Sequence, residues 1–344
     1  MEFLDIDGSY GEGGGQILRT ALSFSVITGK PVRISKVRAG RTTPGLRRQH
    51  VSSLRILGEV FHSNMDGVTE GSSQVSFVPG PPAADSISLD MKTAASITLV
   101  LQAVVPAASL VQSRLSLDLT GGTDVPWSPS FDYLDVVMKA AYKAIGIEFS
   151  AEATRRGYYP RGGGKVSVDV EPCGTLGPLQ LSRPPAIKSV DVTSRCGTLP
   201  RHVAERQLLS ALSVLYKNGI RVGRQVVAED TSDSPGSSIL ISSTGESHFL
   251  GSDQLGAKGR PSEEVGRTAA ERFMTYVESG ACVDDNLADM LVPLLLLAPA
   301  PSAVRISRIS NHLETSLYIA RLFSDGDYAF RREGQGAIVL VKPA

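Results

Sequence analysis

The sequence predicts a mixed protein, α/β or α+β, built from repeated small units. Three observations predict it. Readable strands and helices run in the order β-α-β-α-β-β and recur about every 80 to 100 residues. Two glycine clusters share a context, Tyr10-Gly11-Glu12-Gly13-Gly14-Gly15-Gln16 and Tyr159-Pro160-Arg161-Gly162-Gly163-Gly164-Lys165, which hints at one unit used more than once. Pro178, Pro184 and Pro185 then punctuate the chain ahead of a βαβ-type stretch of about 95 residues, read as an inserted second domain rather than a tail.

The elements follow in order. Phe3 to Ile6 is a short strand. Gln16 to Val26 is a helix with Ile17, Leu18, Ala21, Leu22 and Ser25 on one side, ended by Gly29 and Pro31. Val32 to Val37 alternates as a strand, and Leu46 to Leu57 is a helix with a stripe of Leu46, Val51, Leu54 and Leu57. Val75 to Val78 and Ile87 to Leu89 are strands. Ala94 to Val105 is a nearly all-apolar helix, expected to be buried. Strand Leu115 to Leu119, helix Phe131 to Ile145 and strand Lys165 to Val170 follow. Past the proline break come strand Ile187 to Thr193, helix Val203 to Asn218, strands Gln225 to Glu229, Ser238 to Ile241 and His248 to Leu250, and helix Glu263 to Glu278. Helix Leu287 to Leu297, strand Val304 to Ile309 and helix His312 to Phe323 resume the earlier pattern.

Composition excludes several classes. At 344 residues and 42% apolar, the chain has the material for a sizeable core and is not disordered. Thirty-five basic residues balance thirty-five acidic ones, which excludes a globally basic coat but not a local basic patch. The longest apolar run, around Pro293 to Pro301, is far below the roughly 20 residues of a membrane span. Met1-Glu2-Phe3-Leu4-Asp5 has no signal-peptide pattern, and Cys173, Cys196 and Cys282 are too few and scattered for a disulfide framework, so a reducing cytoplasm is expected.

Charge is uneven along the chain. From Gly13 to Gly58 there is no Asp or Glu, against nine cations: Arg19, Lys30, Arg33, Lys36, Arg38, Arg41, Arg47, Arg48 and Arg55. Guanidinium forks match phosphate oxygens, so this segment is a candidate phosphate or RNA contact; a solvated face paired with acids from elsewhere is the plainer alternative. His50, beside Gln49, is placed to touch phosphate. Asp7 to Gln16 is a glycine-rich loop entering a helix, where the backbone can approach an anion. Glu12 inside that loop suits a divalent metal or a proton, or else a turn. His312, at a strand-to-helix junction, is a candidate nucleophile toward phosphorus, with a helix cap or packing residue as the ordinary alternative. His202 is read as a helix cap, and His62 and His248 as surface or strand residues.

Six blocks, in order and spanning essentially the whole chain, resemble the RNA 3′-terminal phosphate cyclases. They are Asp7 to Thr20; Arg38-Ala39-Gly40-Arg41 with Pro44-Gly45-Leu46 and Arg48-Gln49-His50; Gly121-Gly122-Thr123-Asp124; Tyr158 to Gly164; Pro200 to Arg206; and Leu287-Ala288-Asp289. The resemblance implies a reaction in three steps. A histidine, matched by His312, attacks the α-phosphorus of ATP; the AMP passes to an RNA 3′-phosphate; the adjacent 2′-hydroxyl closes a 2′,3′-cyclic phosphate and expels AMP. His312 separates this branch from a ribosome-assembly branch of the fold that lacks the histidine and would only bind RNA. An enolpyruvyl-type transferase, also built from βαβαββ units, is a further alternative.

By the same resemblance, Arg19 and Arg41 join His312 and Glu12 as catalytic groups, and Arg38, Arg41, Gln49 and His50 hold the RNA end. Gln102, Pro129, Asn286 and Asp289 line the nucleotide pocket. Glu12 or Asp289 orients the histidine or places Mg²⁺ or Mn²⁺, with Glu12 the expected metal ligand. Better-known members carry an aromatic residue at the position of Asn286; here Pro129 or Trp127 is the alternative platform for adenine. Glu314 beside His312 also departs from the family pattern and is expected to raise the pKa of the histidine. The implied fold is α+β: a large domain of three repeated units, residues 1–181 and 279–344, interrupted by a small α/β domain, residues 182–278.

Overall fold

Glycine and capping residues set where the elements begin and end. Strand β1 (Leu4–Asp7) leads through the glycine loop into helix α1 (Gly15–Thr28), which stops at Gly29 in the left-handed conformation that glycine adopts without strain. Strand β2 (Val32–Ser35), helix α2 (Arg48–Val60), and strands β3 (Asn64–Asp66) and β4 (Val75–Val78) follow. Next are β5 (Ser86–Asp90), α3 (Ile97–Leu110) and β6 (Leu115–Gly121). Helix α3 starts three residues later than its apolar run, because the Ser96 hydroxyl accepts from the Leu99 N–H. Segments Phe131–Tyr133, Leu134–Met138 and Lys139–Ala144 run on as one helix, α4, with a π turn in the middle. Strands β7 (Phe149–Arg155), β8 (Gly164–Val170) and β9 (Gln180–Leu181) come next. Then come β10 (Val190–Gly197), α5 (His202–Lys217), β11 (Val222–Asp230), β12 (Gly236–Gly245), β13 (His248–Leu255) and α6 (Ser262–Ser279). The chain ends with α7 (Asp285–Leu291), a 3₁₀ turn at Val292–Leu297, β14 (Ser302–Ile306), α8 (Asn311–Arg321), β15 (Asp327–Glu333) and β16 (Gly336–Lys342). This computed structural model describes residues 2–11, 13–82, 85–112 and 114–344.

The class is α+β. Among the described residues, four separate four-stranded sheets have the orders β1-β2-β4-β3, β5-β6-β8-β7, β11-β10-β12-β13 and β15-β16-β14-β9. Each contains one parallel pair and two antiparallel pairs, among them the parallel pairs β1 with β2, β5 with β6 and β14 with β9. Strands β3, β7, β9, β15 and β16 went unread in the sequence. Asn64-Met65-Asp66 carries no apolar alternation, and β9 is two residues long and exists only by pairing with β14, more than 120 positions later. Helices α1, α2, α3 and α8 pack on one another, burying Leu22, Phe24, Leu101 and Leu317. A separate apolar cluster lies among β10, β12, α5 and α6, with Val192, Ile241, Ala269 and Phe273.

A buried ionic network ties the loop after β6 to β10 and β11. Arg156, 6% exposed, donates to Asp132 at 2.6 Å and Asp124 at 3.2 Å. Arg195 donates to Asp132 at 2.7 Å and Asp230 at 3.2 Å. The Arg156 guanidinium also lies 4.9 Å from the centre of the Phe131 ring. Removing one member of such a cluster strands the others as uncompensated buried charges. Arg156→Met is expected to destabilise the fold by about 3–5 kcal/mol, read as a lower midpoint in thermal or urea unfolding; an unchanged midpoint would show the network to be energetically idle.

Candidate active site

A cleft of about 1320 Å³ opens where the elements that carry the sequence-selected residues meet. One wall is the N-terminal end of α1, with Gly14, Gly15, Gln16 and Arg19. Beside it lie Arg38, Arg41 and Arg47 of the segment between β2 and α2, and Gln49 and His50 of the first turn of α2. Gln102 of α3 and the loop from Pro126 to Pro129 form a second wall, and Asn286, Asp289 and His312 a third. Asp253 to Ala257 at the end of β13, with Arg260 and Arg272, line the cleft as well.

His312 is exposed and sits in the first turn of α8, where free backbone N–H groups and the helix dipole favour anions. Ser310 caps that turn, its hydroxyl accepting from the Leu313 N–H at 3.0 Å and donating to Asp289 at 2.9 Å. From α1, the Gln16 amide donates to the His312 carbonyl at 3.2 Å and to the Ser316 hydroxyl. Tyr10 stacks on Tyr318 of α8, ring centres 3.8 Å apart. The histidine's backbone is therefore clamped between the glycine-loop helix and Asp289. Glu314 lies two positions further along the same helix, an offset at which side chains do not face each other.

Glycine at position 15 is needed for close approach: a Cβ there would lie 2.6 Å from His50 Nε2 and 3.2 Å from an Arg19 nitrogen. A Cβ on Gly14 would lie 3.3 Å from an Arg41 nitrogen. His50 is fixed by accepting the Arg47 N–H on its Nδ1 at 3.1 Å. Its pKa is pushed down to about 4, first by burial and then by the charges of Arg38, Arg19 and Arg47. Burial alone brings Arg19 down to about 10, so it stays cationic at neutral pH. The Arg38 guanidinium donates to the Thr43 and Gly45 carbonyls at 3.1 and 3.3 Å, closing the loop that carries Arg41. Burial and the neighbouring Arg41 and Arg47 lower its pKa as well.

Seven of the nine cations fall into two groups. Arg33, Lys36 and Arg48 are paired with Asp5, Asp7 and Glu70 at 3.5, 2.8 and 3.1 Å, the ordinary outcome for an exposed charge. Arg19, Arg38, Arg41 and Arg47 line the cleft instead. Arg19, Arg38, Arg41, Gln49, His50, Gln102, Pro129, Asn286, Asp289 and His312 thus meet in one cavity, while Glu12 lies outside the described residues. One histidine differs from its expected role. His202 opens α5 without a side-chain capping bond, because Arg201 occupies the cap position. His248 is a strand residue, as expected, the first of β13, buried and hydrogen-bonded to Ser243 at 2.8 Å. The reading missed Asp253, Arg260 and Arg272, whose approach to the cleft is purely tertiary. Among the described residues, no three His, Cys, Asp or Glu side chains gather as a metal cage, and no helix is long and apolar enough to cross a membrane.

Comparison with known proteins agrees with the site. A family model described as RNA 3′-terminal phosphate cyclase matches residues 10–330. The curated RNA 3′-terminal phosphate cyclase of Caldivirga maquilingensis is 39% identical, over 99% of this chain and 98% of its own. Those of Thermococcus kodakarensis and Pyrococcus furiosus are 43% and 42% identical, covering 94% and 92% of this chain and 93% and 92% of theirs. A match that runs through every wall of the cleft, at this identity and nearly full length, places the chain in the RNA 3′-terminal phosphate cyclase family.

Proposed function

We propose that this chain is an ATP-dependent enzyme that converts an RNA 3′-terminal phosphate into a 2′,3′-cyclic phosphate. The observation that carries the proposal is His312, exposed in the first turn of α8, opening into the same cleft as Arg19, Arg38 and Arg41. In the first step a neutral imidazole nitrogen of His312 attacks the α-phosphorus of ATP and pyrophosphate leaves, giving a histidyl-AMP. In the second, an oxygen of the RNA 3′-phosphate attacks that phosphorus, the P–N bond breaks, and an RNA-(3′)pp(5′)A end forms. In the third, the neighbouring 2′-hydroxyl loses its proton and attacks the 3′-phosphorus; the cyclic ester closes and AMP departs. Each step is a transfer at phosphorus, which a protein assists chiefly by positioning and charge neutralisation.

The roles follow from the chemistry of the groups. Arg19 and Arg41 neutralise phosphate oxygens next to the histidine, and Arg38, Gln49 and His50 hold the RNA terminal phosphate. Gln102, Pro129 and Asn286 border the nucleotide. Asp289 acts through Ser310, fixing the turn that presents His312. A divalent ion carried on the phosphates needs only one or two protein carboxylates and would neutralise charge on the leaving pyrophosphate; Asp289 in the cleft wall and Glu12 in the glycine loop are the carboxylates of suitable chemistry.

We also propose the domain division. Three βαβαββ units are β1 to β4, β5 to β8, and β9 with β14 to β16, and residues 182–278 form a domain inserted in the third. Supporting this are the matching orders β1-β2-β4-β3, β5-β6-β8-β7 and β9-β14-β16-β15 and the separate apolar cluster of the inserted segment. That segment's sheet is wired differently, with its first strand, β10, in the interior.

Incubation with α-³²P-labelled ATP and Mg²⁺ or Mn²⁺ is expected to yield an acid-labile, alkali-stable adduct. His312→Ala should lose it and lower cyclisation by at least ~10³-fold; a label that persists in this variant excludes His312. Gly15→Ala should displace His50 and Arg19 and slow cyclisation roughly tenfold or more while the protein stays folded by circular dichroism; wild-type rates would mean that these two groups do not need their present positions. The low His50 pKa has a signed consequence. Between about 4 and the ordinary 6.5 the unfolded chain binds a proton that the folded chain does not, so stability should fall as pH drops through that window. His50→Gln should remove part of that slope in unfolding measured between pH 4 and 7; an identical slope would assign it to other groups.

A further inference from the structure

We propose that Trp127 is a stacking platform for a nucleobase of the RNA strand where it leaves the cleft. The inference rests on the cyclase reading and names a substrate subsite within it. Trp127 is the chain's single tryptophan, and the residue is 93% exposed although it borders the cleft. Its φ of 69° places a bulky aromatic residue in the left-handed region, which costs conformational energy. No burial of the indole offsets that cost, so packing does not explain the geometry.

The turn is nevertheless held firmly. The Ser128 hydroxyl donates to the Val125 carbonyl at 2.8 Å. The Thr98 hydroxyl donates to the Pro129 carbonyl at 2.8 Å, and the Ser130 N–H donates to Asp253 at 2.6 Å. Two prolines, at 126 and 129, flank the exposed ring and limit the backbone further. A rigid frame that displays an apolar ring to solvent lowers the ordering cost of binding a flat partner. Arg260 lines the same cleft, its guanidinium 3.4 Å from Glu264. An open indole with a guanidinium in one groove is the pairing that single-stranded RNA uses, a π-face for a base and a cation for a phosphate.

The position favours the strand over the adenine of ATP. Pro129, Gln102 and Asn286 are half-buried and can enclose a base, whereas Trp127 stands clear of the protein at the rim. A base stacked there keeps its other face open, as suits a strand that must continue out of the cleft.

The single tryptophan makes the test direct. Titration with a short single-stranded oligoribonucleotide ending in a 3′-phosphate should quench its fluorescence, and ATP alone should not. An oligonucleotide abasic at its last two 3′ positions should quench several-fold less. Trp127→Ala should raise KM for this RNA about tenfold, with kcat and the ATP dependence of adenylate formation unchanged, and Trp127→Phe should restore most of the loss. Quenching by ATP without quenching by RNA, or an unchanged KM for RNA in Trp127→Ala, overturns the proposal. Wild-type protein that makes neither adenylate nor cyclic ends would instead overturn the cyclase reading; the fluorescence titration then still decides whether Trp127 binds the strand.

Discussion

Positive charge gathered around the entrance to α8, with few carboxylates to cancel it, is the constraint on which the rest of this molecule depends. Arg19, Arg38, Arg41 and Arg47 repel one another, and only a fold that fixes their backbones can keep them in one cleft. His50 registers the resulting field: its proton is driven off well below the ordinary imidazole range by burial and by three of those arginines. Phosphate is the natural counterpart, since its oxygens match guanidinium forks in both shape and charge.

The scaffold meets that constraint with short, rigid connections. Glycine at 15 lets α1 approach His50 and Arg19, and the Arg38 side chain closes its own loop on two carbonyls. Gln16 and the Tyr10–Tyr318 stack hold α1 to α8. Charges that must be buried away from the cleft are treated in the opposite way. Arg156 and Arg195 are surrounded by Asp124, Asp132 and Asp230, and this network anchors the loop that carries Pro129 and Trp127. The protein thus surrounds these structural cations with carboxylates, whereas Arg19, Arg38, Arg41 and Arg47 border the cleft.

Much of this was legible beforehand, and the exceptions have identifiable causes. Helices α2, α5, α6 and α8 announce themselves through an apolar stripe, and α3 through an almost unbroken apolar run, because it is buried nearly all round. Strand β7 alternates Phe149, Ala151 and Ala153, but alanine is too small to mark a face clearly. The hairpin of β15 and β16 is interrupted by Arg331, Arg332 and Glu333, which resemble a charged loop until the partner strand is in place. The helix read over Leu287 to Leu297 is α-helical only to Leu291 and tightens to 3₁₀ at Val292–Leu297, where Pro293 cannot donate to the ladder.

Sequence alone determined the kinds of chemistry present: a glycine loop that leads into a helix, a stretch of cations without acids, and a histidine at a strand-to-helix junction. These are local properties, carried by residue type and spacing. Tertiary structure decided which cations are spent on neighbours and which face the cleft, because pairing depends on Asp5, Asp7 and Glu70 arriving from other segments. It also decided that Asp253, Arg260 and Arg272 share a cavity with His312, and that Trp127 stands in solvent rather than in the core. Such facts arise from contacts between residues far apart in the chain, and no local pattern encodes a distance that only folding creates.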